Sequence, residues 1–125
     1  MTKYARRAAL AVALLAALFL AACGSHGSHS GENPVQASGV LRVGTEGTYA
    51  PFSFHDPATG QLTGYDVDVA KAVGDKLGVK VEFVETPWDS IFAALGANRF
   101  DVVANQVTIT PERQAKYDMS EPYAI

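Results

Sequence analysis

Arg113 closes a polar run, Asn105-Gln106-Val107-Thr108-Ile109-Thr110-Pro111-Glu112-Arg113, that follows the short apolar stretch Val102-Val103-Ala104. A guanidinium presents a planar fork of N–H donors that matches a carboxylate, and Thr108 adds a hydroxyl nearby. Thr110-Pro111-Glu112-Arg113 reads as a helix start, with Thr110 as cap, Pro111 at the first helical position and Glu112 at the positive end of the dipole. Polar groups beyond the carboxyl end of a buried strand, beside a helix N-terminus, suit a small anionic ligand. The chemistry such a segment can perform is capture of the carboxylate of an amino-acid-like molecule. The same pattern also fits an ordinary strand-to-helix loop with a solvated arginine.

Covalent chemistry has less support. Hydrolysis needs an activated nucleophile or a paired acid and base. His55 stands in a turn beside Asp56 and Pro57, and the other two histidines, His26 and His29, lie in a Gly- and Ser-rich stretch without neighbouring carboxylates or thiols. No metal site and no cofactor is therefore expected. There is no Gly-x-Ser-x-Gly elbow, Walker loop or dinucleotide glycine motif. Gly44-Thr45-Glu46-Gly47 lacks the following glycine and lysine of a phosphate loop. Asp66 and Asp68 are two apart, point in different directions on a helix, and read as helix-start charges.

The elements that must position these residues alternate. Val40 to Gly44 reads as a strand, Thr45 to Pro51 as a loop, and Phe52-Ser53-Phe54 as a short strand turned by His55 to Gly60 to pair with Leu62-Thr63. Val69, Ala70, Val73 and Leu77 follow helical spacing, and Gly78 suits a left-handed cap. Val79 to Val84 alternates as a strand. Thr86 as cap and Pro87 in the first turn open a second helix with the stripe Trp88, Ile91, Phe92 and Leu95. Phe100 to Ala104 returns as a strand. Such alternation predicts parallel pairing in an α/β sandwich. Parallel strands share a direction, so the loops holding Glu46 and Tyr49, Trp88, and residues 105–113 meet at one edge. There Arg113 would take a carboxylate, Thr108 would supply a hydroxyl, Tyr49 and Trp88 would sandwich a side chain, and Glu46 would meet a cationic or amide group. Trp88 also fits a plain core position on its helix.

Ahead of this domain, Met1 to Ala22 has a basic start (Lys3, Arg6, Arg7), an apolar run and small residues before Cys23. The run is too short for an ordinary membrane span and fits a secretory signal, residues 1–22. Leu20-Ala21-Ala22-Cys23 resembles the lipobox of bacterial lipoproteins, which implies acylation of Cys23 and a lipid anchor to the cell membrane. Residues 23–38 read as a flexible linker and 39–125 as the folded lobe. The chain has ten Lys and Arg against thirteen Asp and Glu; the first 22 residues hold three of the basic ones and no acid, leaving seven against thirteen, or −6. That balance argues against nucleic acid as a partner and against a membrane-surface helix. A single cysteine excludes an internal disulfide, so burial must hold the core.

The motifs GTEGTYAPFSF, GYDVDVAKAVGDKLGVK, WDSIFAAL, FDVVANQVTITPER and YDMSEPY, in that order, closely resemble the family 3 extracellular solute-binding proteins. NQVTITPER with VGTEGTYAPFSF upstream is most similar to the cystine-binding branch. The resemblance implies a type 2 periplasmic-binding-protein-like lobe, a mostly parallel sheet flanked by helices. It implies capture of a polar amino acid outside the cell, on the periplasmic or cell-surface side, for delivery to an ABC transporter permease. It places the carboxylate-binding arginine on Arg113, further ligand contacts on Gln106 and Thr108, the stacking aromatics on Tyr49 and Trp88, and the side-chain-reading acid on Glu46. Asn105 and Gln106 stand where many binders of basic amino acids have serines. Cystine suits an aromatic site, because sulfur makes favourable contacts with ring faces.

The resemblance also implies a second lobe, and Glu121-Pro122-Tyr123 falls about where the first crossing strand should begin. The expectation is thus an incomplete binding lobe, truncated before the second, with weak or no affinity alone. Two other functions occur on this fold: a cyclohexadienyl or arogenate dehydratase, for which no dedicated acid is visible, and a periplasmic sensor module.

Overall fold

The computed structural model describes residues 33–124. The expected signal segment, Cys23 and the linker up to Glu32 lie outside the described residues. The last part of that expected linker differs from a tether. Pro34–Ser38 forms a one-turn helix, α1, capped by the Asn33 side chain on the Val35 N–H and closed by Gly39 in the left-handed region. Val35 packs against the Leu41, Val43 and Ala70 cluster, which gives this turn a reason to form.

β1 (Val40–Thr45) is the centre of a three-stranded parallel sheet. β5 (Lys80–Glu85) pairs along its whole length, Val40 opposite Lys80 through Thr45 opposite Glu85. On the other side β6 pairs only through Val102–Val103, opposite Val43 and Gly44. The strand expected from Phe100 is shorter because Asp101 turns its carboxylate onto Arg42. Asp101 accepts from the Arg42 backbone N–H at 2.8 Å and receives the guanidinium at 2.7 and 3.2 Å. Phe100 is instead a core residue, 1% exposed, and its ring lies where a β-carbon on Gly44 would fall, so that strand position has room for glycine alone.

A second, antiparallel sheet joins β2 (Thr48–Tyr49), β3 (Ser53–His55) and β4 (Leu62–Thr63). The β3–β4 hairpin matches the expectation. β2 lay within the expected loop, because two residues cannot display a period.

Alternation along β1 sends Leu41 and Val43 to one face, where they meet Ala70 of α2 (Tyr65–Leu77). The opposite face meets Ile91 and Ala94 of α3 (Trp88–Gly96), with Phe100. The stripe of α3 runs as its sequence implies. That of α2 is rotated: Val67, Ala70 and Gly74 are buried and Val73 is 43% exposed. The backbone of Gly74 rests directly against the Val81 side chain, and this close approach turns Val73 outward. Gly78 ends α2 with φ 71°, as expected. Among the described residues no helix is long and apolar enough to cross a membrane.

Candidate functional site

The carboxyl ends of β1, β5 and β6 lead to Glu46, to Thr86-Pro87-Trp88 and to Asn105, so the three predicted loops do share one edge. Asn105, 3% exposed, ties them together. Its Oδ1 accepts from the Glu46 N–H at 3.0 Å and lies 3.1 Å from Thr45 Oγ1, while its Nδ2 donates to Glu46 Oε2 at 2.7 Å. Thr45 Oγ1 is in turn 2.6 Å from Ser53 Oγ, which accepts from the Gly47 N–H. A side-chain amide supplies, without a charge, an acceptor to the Glu46 N–H and a donor to the Glu46 carboxylate.

Glu46 is committed on both oxygens. Oε1 accepts from the Trp88 N–H, the first amide of α3, at 3.3 Å. The expected cap, Thr86, donates instead to the Val84 carbonyl, and Pro87 occupies the cap position without a side-chain bond. A carboxylate from another loop thus satisfies the orphan amide and meets the positive end of the helix dipole. Remaining lone pairs on Glu46 are available to a second donor.

Arg113 lies in α4 (Pro111–Gln114), capped as expected by Thr110, whose Oγ1 accepts from the Arg113 N–H. With a single turn, α4 adds little dipole, so any carboxylate affinity here rests on the side chain. The guanidinium carbon stands 5.5 Å from the Trp88 ring centroid and 5.7 Å from that of Phe92, and Nη1 donates to the Thr108 carbonyl at 2.8 Å. Trp88 and Phe92 meet edge to face at 5.3 Å, and Phe92 meets Tyr117 at 5.2 Å. Among the described residues the salt bridges are Arg42–Asp101 and His55–Glu85, so Arg113 has no acidic partner there. The fork is oriented by rings and a carbonyl and forms no salt bridge among the described residues, although its charge is felt by the neighbouring Glu112 carboxyl.

Gln106 has φ 50°, a left-handed backbone unusual for a residue other than glycine. Its N–H and its side-chain Nε2 each donate to Asp66, both at 2.7 Å. Asp66 is fully buried and also accepts from the Tyr123 hydroxyl at 3.1 Å. Burial, together with that carboxylate, pushes the Tyr123 phenol pKa up. Tyr49 is 44% exposed and its ring neighbour is Phe52 at 5.2 Å, with no ring contact to Trp88 among the described pairs. An open groove of about 260 Å³ runs between residues 106–109 and 119–124; it includes Gln106 and Thr108 but none of Glu46, Tyr49, Trp88 and Arg113.

The structure therefore joins Glu46 to Trp88, Trp88 to Arg113 and Arg113 to Thr108, and leaves Tyr49 apart. The sequence did not show the bonding of Asn105 and Ser53, read Asp66 only as a helix-start charge, and placed Phe92 only on the apolar stripe of its helix. The structure buries Asp66 beside Val67 and Ala70 on the inner face of α2 and leaves Asp68 exposed, a distinction that two helix-start acids do not carry in sequence. Asn105 follows an apolar strand directly, a place where a polar residue must find partners.

Next to this edge, His55 Nδ1 faces the Gly60 carbonyl and Nε2 faces Glu85 Oε2, each at 2.9 Å. Both partners are acceptors, so the ring satisfies both only as imidazolium, and the Glu85 hydrogen bond raises its pKa. A raised folded pKa means that the stabilisation is complete below the unfolded value and fades as pH rises through the folded one. Melting curves taken from about pH 6 to about pH 8 should show the advantage of the wild type over His55→Gln shrinking. A constant advantage across that range would show that the pair does not titrate. Both side chains are nearly half exposed, so the effect is small.

Comparison with known proteins agrees with this architecture. Residues 41–125 match the bacterial extracellular solute-binding proteins, family 3, and the chain belongs to that family. It is 56% identical over 98 residues to a probable amino-acid ABC transporter-binding protein of Haemophilus influenzae, covering 77% of this chain and 38% of that one. It is 50% identical over 113 residues to the L-cystine-binding protein TcyA of Bacillus subtilis, covering 83% and 42%. The chain thus spans about two fifths of the length of these curated relatives.

Among solved structures, the L-cystine solute receptor of Neisseria gonorrhoeae, unliganded and open, superposes with TM-score 0.66 at 66% identity, over 71% of this chain and 38% of that one. Domain 1 of TmArgBP in its arginine-bound form gives 0.69 at 34%, over 74% and 72%. An ancestral cyclohexadienyl dehydratase gives 0.67 at 53%, over 72% and 37%. The fold is that of a lobe of a type 2 periplasmic binding protein.

Proposed function

We propose that this lobe captures a polar amino acid, with cystine favoured, as part of the substrate-binding component of an ABC importer. Arg113 carries the reading: a cation held by Trp88, Phe92 and the Thr108 carbonyl, with no acidic partner among the described residues, waits for an external carboxylate. Gln106 and Thr108 flank that carboxylate, Trp88 offers ring surface to the side chain, Glu46 offers its spare lone pairs to an amide or cation, and Tyr49, apart from Trp88 in this lobe, contributes only if the ligand reaches across to it. Cystine is favoured because a cystine receptor and a cystine-binding protein are among the similar chains. Residues 1–22 serve as a lipoprotein signal and Cys23 as the acylated anchor, placing the lobe outside the cytoplasm.

The lobe alone is expected to bind weakly, and a single domain of TmArgBP is described in an arginine-bound form, so binding by one lobe is open to measurement. Titrating the chain with L-cystine, L-arginine and L-histidine, followed by NMR shifts at Arg113 and Trp88, tests the reading. Saturable shifts with L-cystine at the lowest concentration are expected; none with any of the three rejects it. Dehydratase chemistry is the competing reading, because an ancestral cyclohexadienyl dehydratase is among the similar structures. Turnover of prephenate or arogenate by the same sample decides in its favour.

A further inference from the structure

We propose that Asp66 is a positioning residue of the ligand loop, holding Gln106 in the left-handed conformation that aims Thr108 and Arg113. The inference rests on the binding reading above but concerns a residue outside the proposed contacts.

Asp66 sits in the first turn of α2, where an acid ordinarily bonds to helix amides. Those amides are already occupied: the Tyr65 and Asp66 N–H groups donate to the Pro51 and Phe52 carbonyls. The carboxylate turns away to the loop instead. With no exposure to water, it has three donors, the Gln106 N–H, Gln106 Nε2 and the Tyr123 hydroxyl. A buried carboxylate without a cation needs such donors, and its demand supplies a force on whatever carries them. Two of the three belong to Gln106, the residue whose φ of 50° departs from ordinary backbone. Backbone in this region persists only where neighbouring groups over-determine it. Two residues on is Thr108, whose carbonyl takes Arg113 Nη1 at 2.8 Å. The chain of cause runs from a buried helix acid through one strained residue to the orientation of the guanidinium.

The test follows two readouts in Asp66→Ala and Asp66→Asn variants of the 125-residue chain: hydrogen exchange of the Gln106 backbone amide, and affinity for L-cystine and L-arginine. Asp66→Ala should lose the protection of the Gln106 amide and weaken both amino acids by a common factor of about ten, since the loop and not a side-chain subsite is disturbed. Asp66→Asn keeps an oxygen for the Gln106 N–H, and the Gln106 side-chain amide can turn to accept from the new NH2. Protection and affinity should both recover there. If Asp66→Ala does not fold, Asp66→Asn alone decides, because protection and affinity must move together in any folded variant. Either one moving without the other overturns the proposal. Should the wild type bind neither amino acid, the binding reading fails separately. The positioning claim is then read from the Gln106 amide and the Arg113 Nε–H resonance, which must still shift together on Asp66→Ala.

Discussion

In a two-lobed form, where the cleft closes over the ligand, Arg113→Ala is expected to weaken amino-acid binding by about 2–5 kcal/mol, the range found when one partner of a buried hydrogen-bonded charge pair is removed. That is about thirtyfold at the least. The loss exceeds the cost to stability, because what Arg113 gives the free protein is modest: two ring contacts and one hydrogen bond to the Thr108 carbonyl. Those contacts are worth about 1 kcal/mol at a half-exposed position. Arg113→Lys should recover little of the affinity. An ammonium retains the charge but cannot lie flat over Trp88 and Phe92, and it cannot offer two parallel donors to a carboxylate. Titration calorimetry on wild type, Arg113→Ala and Arg113→Lys, with melting temperatures alongside, separates the two effects. Unchanged affinity in Arg113→Ala would remove this residue from the site.

The fold was largely legible because its signals are local and repeated. The strands β1 and β5, the helices α2 and α3, the β3–β4 hairpin, the Gly78 cap and the Thr110 cap all follow from period, cap chemistry and turn residues within a few positions. The sharing of one edge by three loops followed from parallel pairing alone. What could not be read depends on groups far apart in sequence. Val73 leaves the core because Gly74 meets Val81. Thr86 loses its cap role because Glu46 takes the amide of Trp88, forty-two residues further along the chain. The bond between Asp66 and Gln106 spans forty residues. In the candidate site the residue types were visible, whereas the bonds that already occupy Glu46 and Gln106 were not. α1 escaped notice because Gly- and Ser-rich sequence precedes it and its single turn depends on Val35 reaching the sheet.

Asn105, bonded to Thr45 and Glu46 across sixty and fifty-nine residues, is where the second large effect is expected. Asn105→Leu keeps the branched heavy-atom shape but removes every polar contact: the Glu46 N–H, the Thr45 hydroxyl and Glu46 Oε2 all lose a partner. Leaving one buried donor or acceptor unsatisfied costs about 1–3 kcal/mol, so the variant should lose about 3 kcal/mol of stability. Asn105→Asp has nearly the same shape and a different signature. It places a second carboxyl where Nδ2 now donates to Glu46 at 2.7 Å. The two carboxyls can share one proton, but they repel once both ionise, so the folded pKa of the pair is raised. For an acid raised in the folded state, stability is greatest at low pH and falls as pH rises from about 4 through the folded value. The stability of Asn105→Asp relative to wild type, followed as urea midpoints across that range, should therefore decline with increasing pH. A pH-independent difference would mean that Glu46 has swung into solvent and that Asn105 does not tie the three loops together.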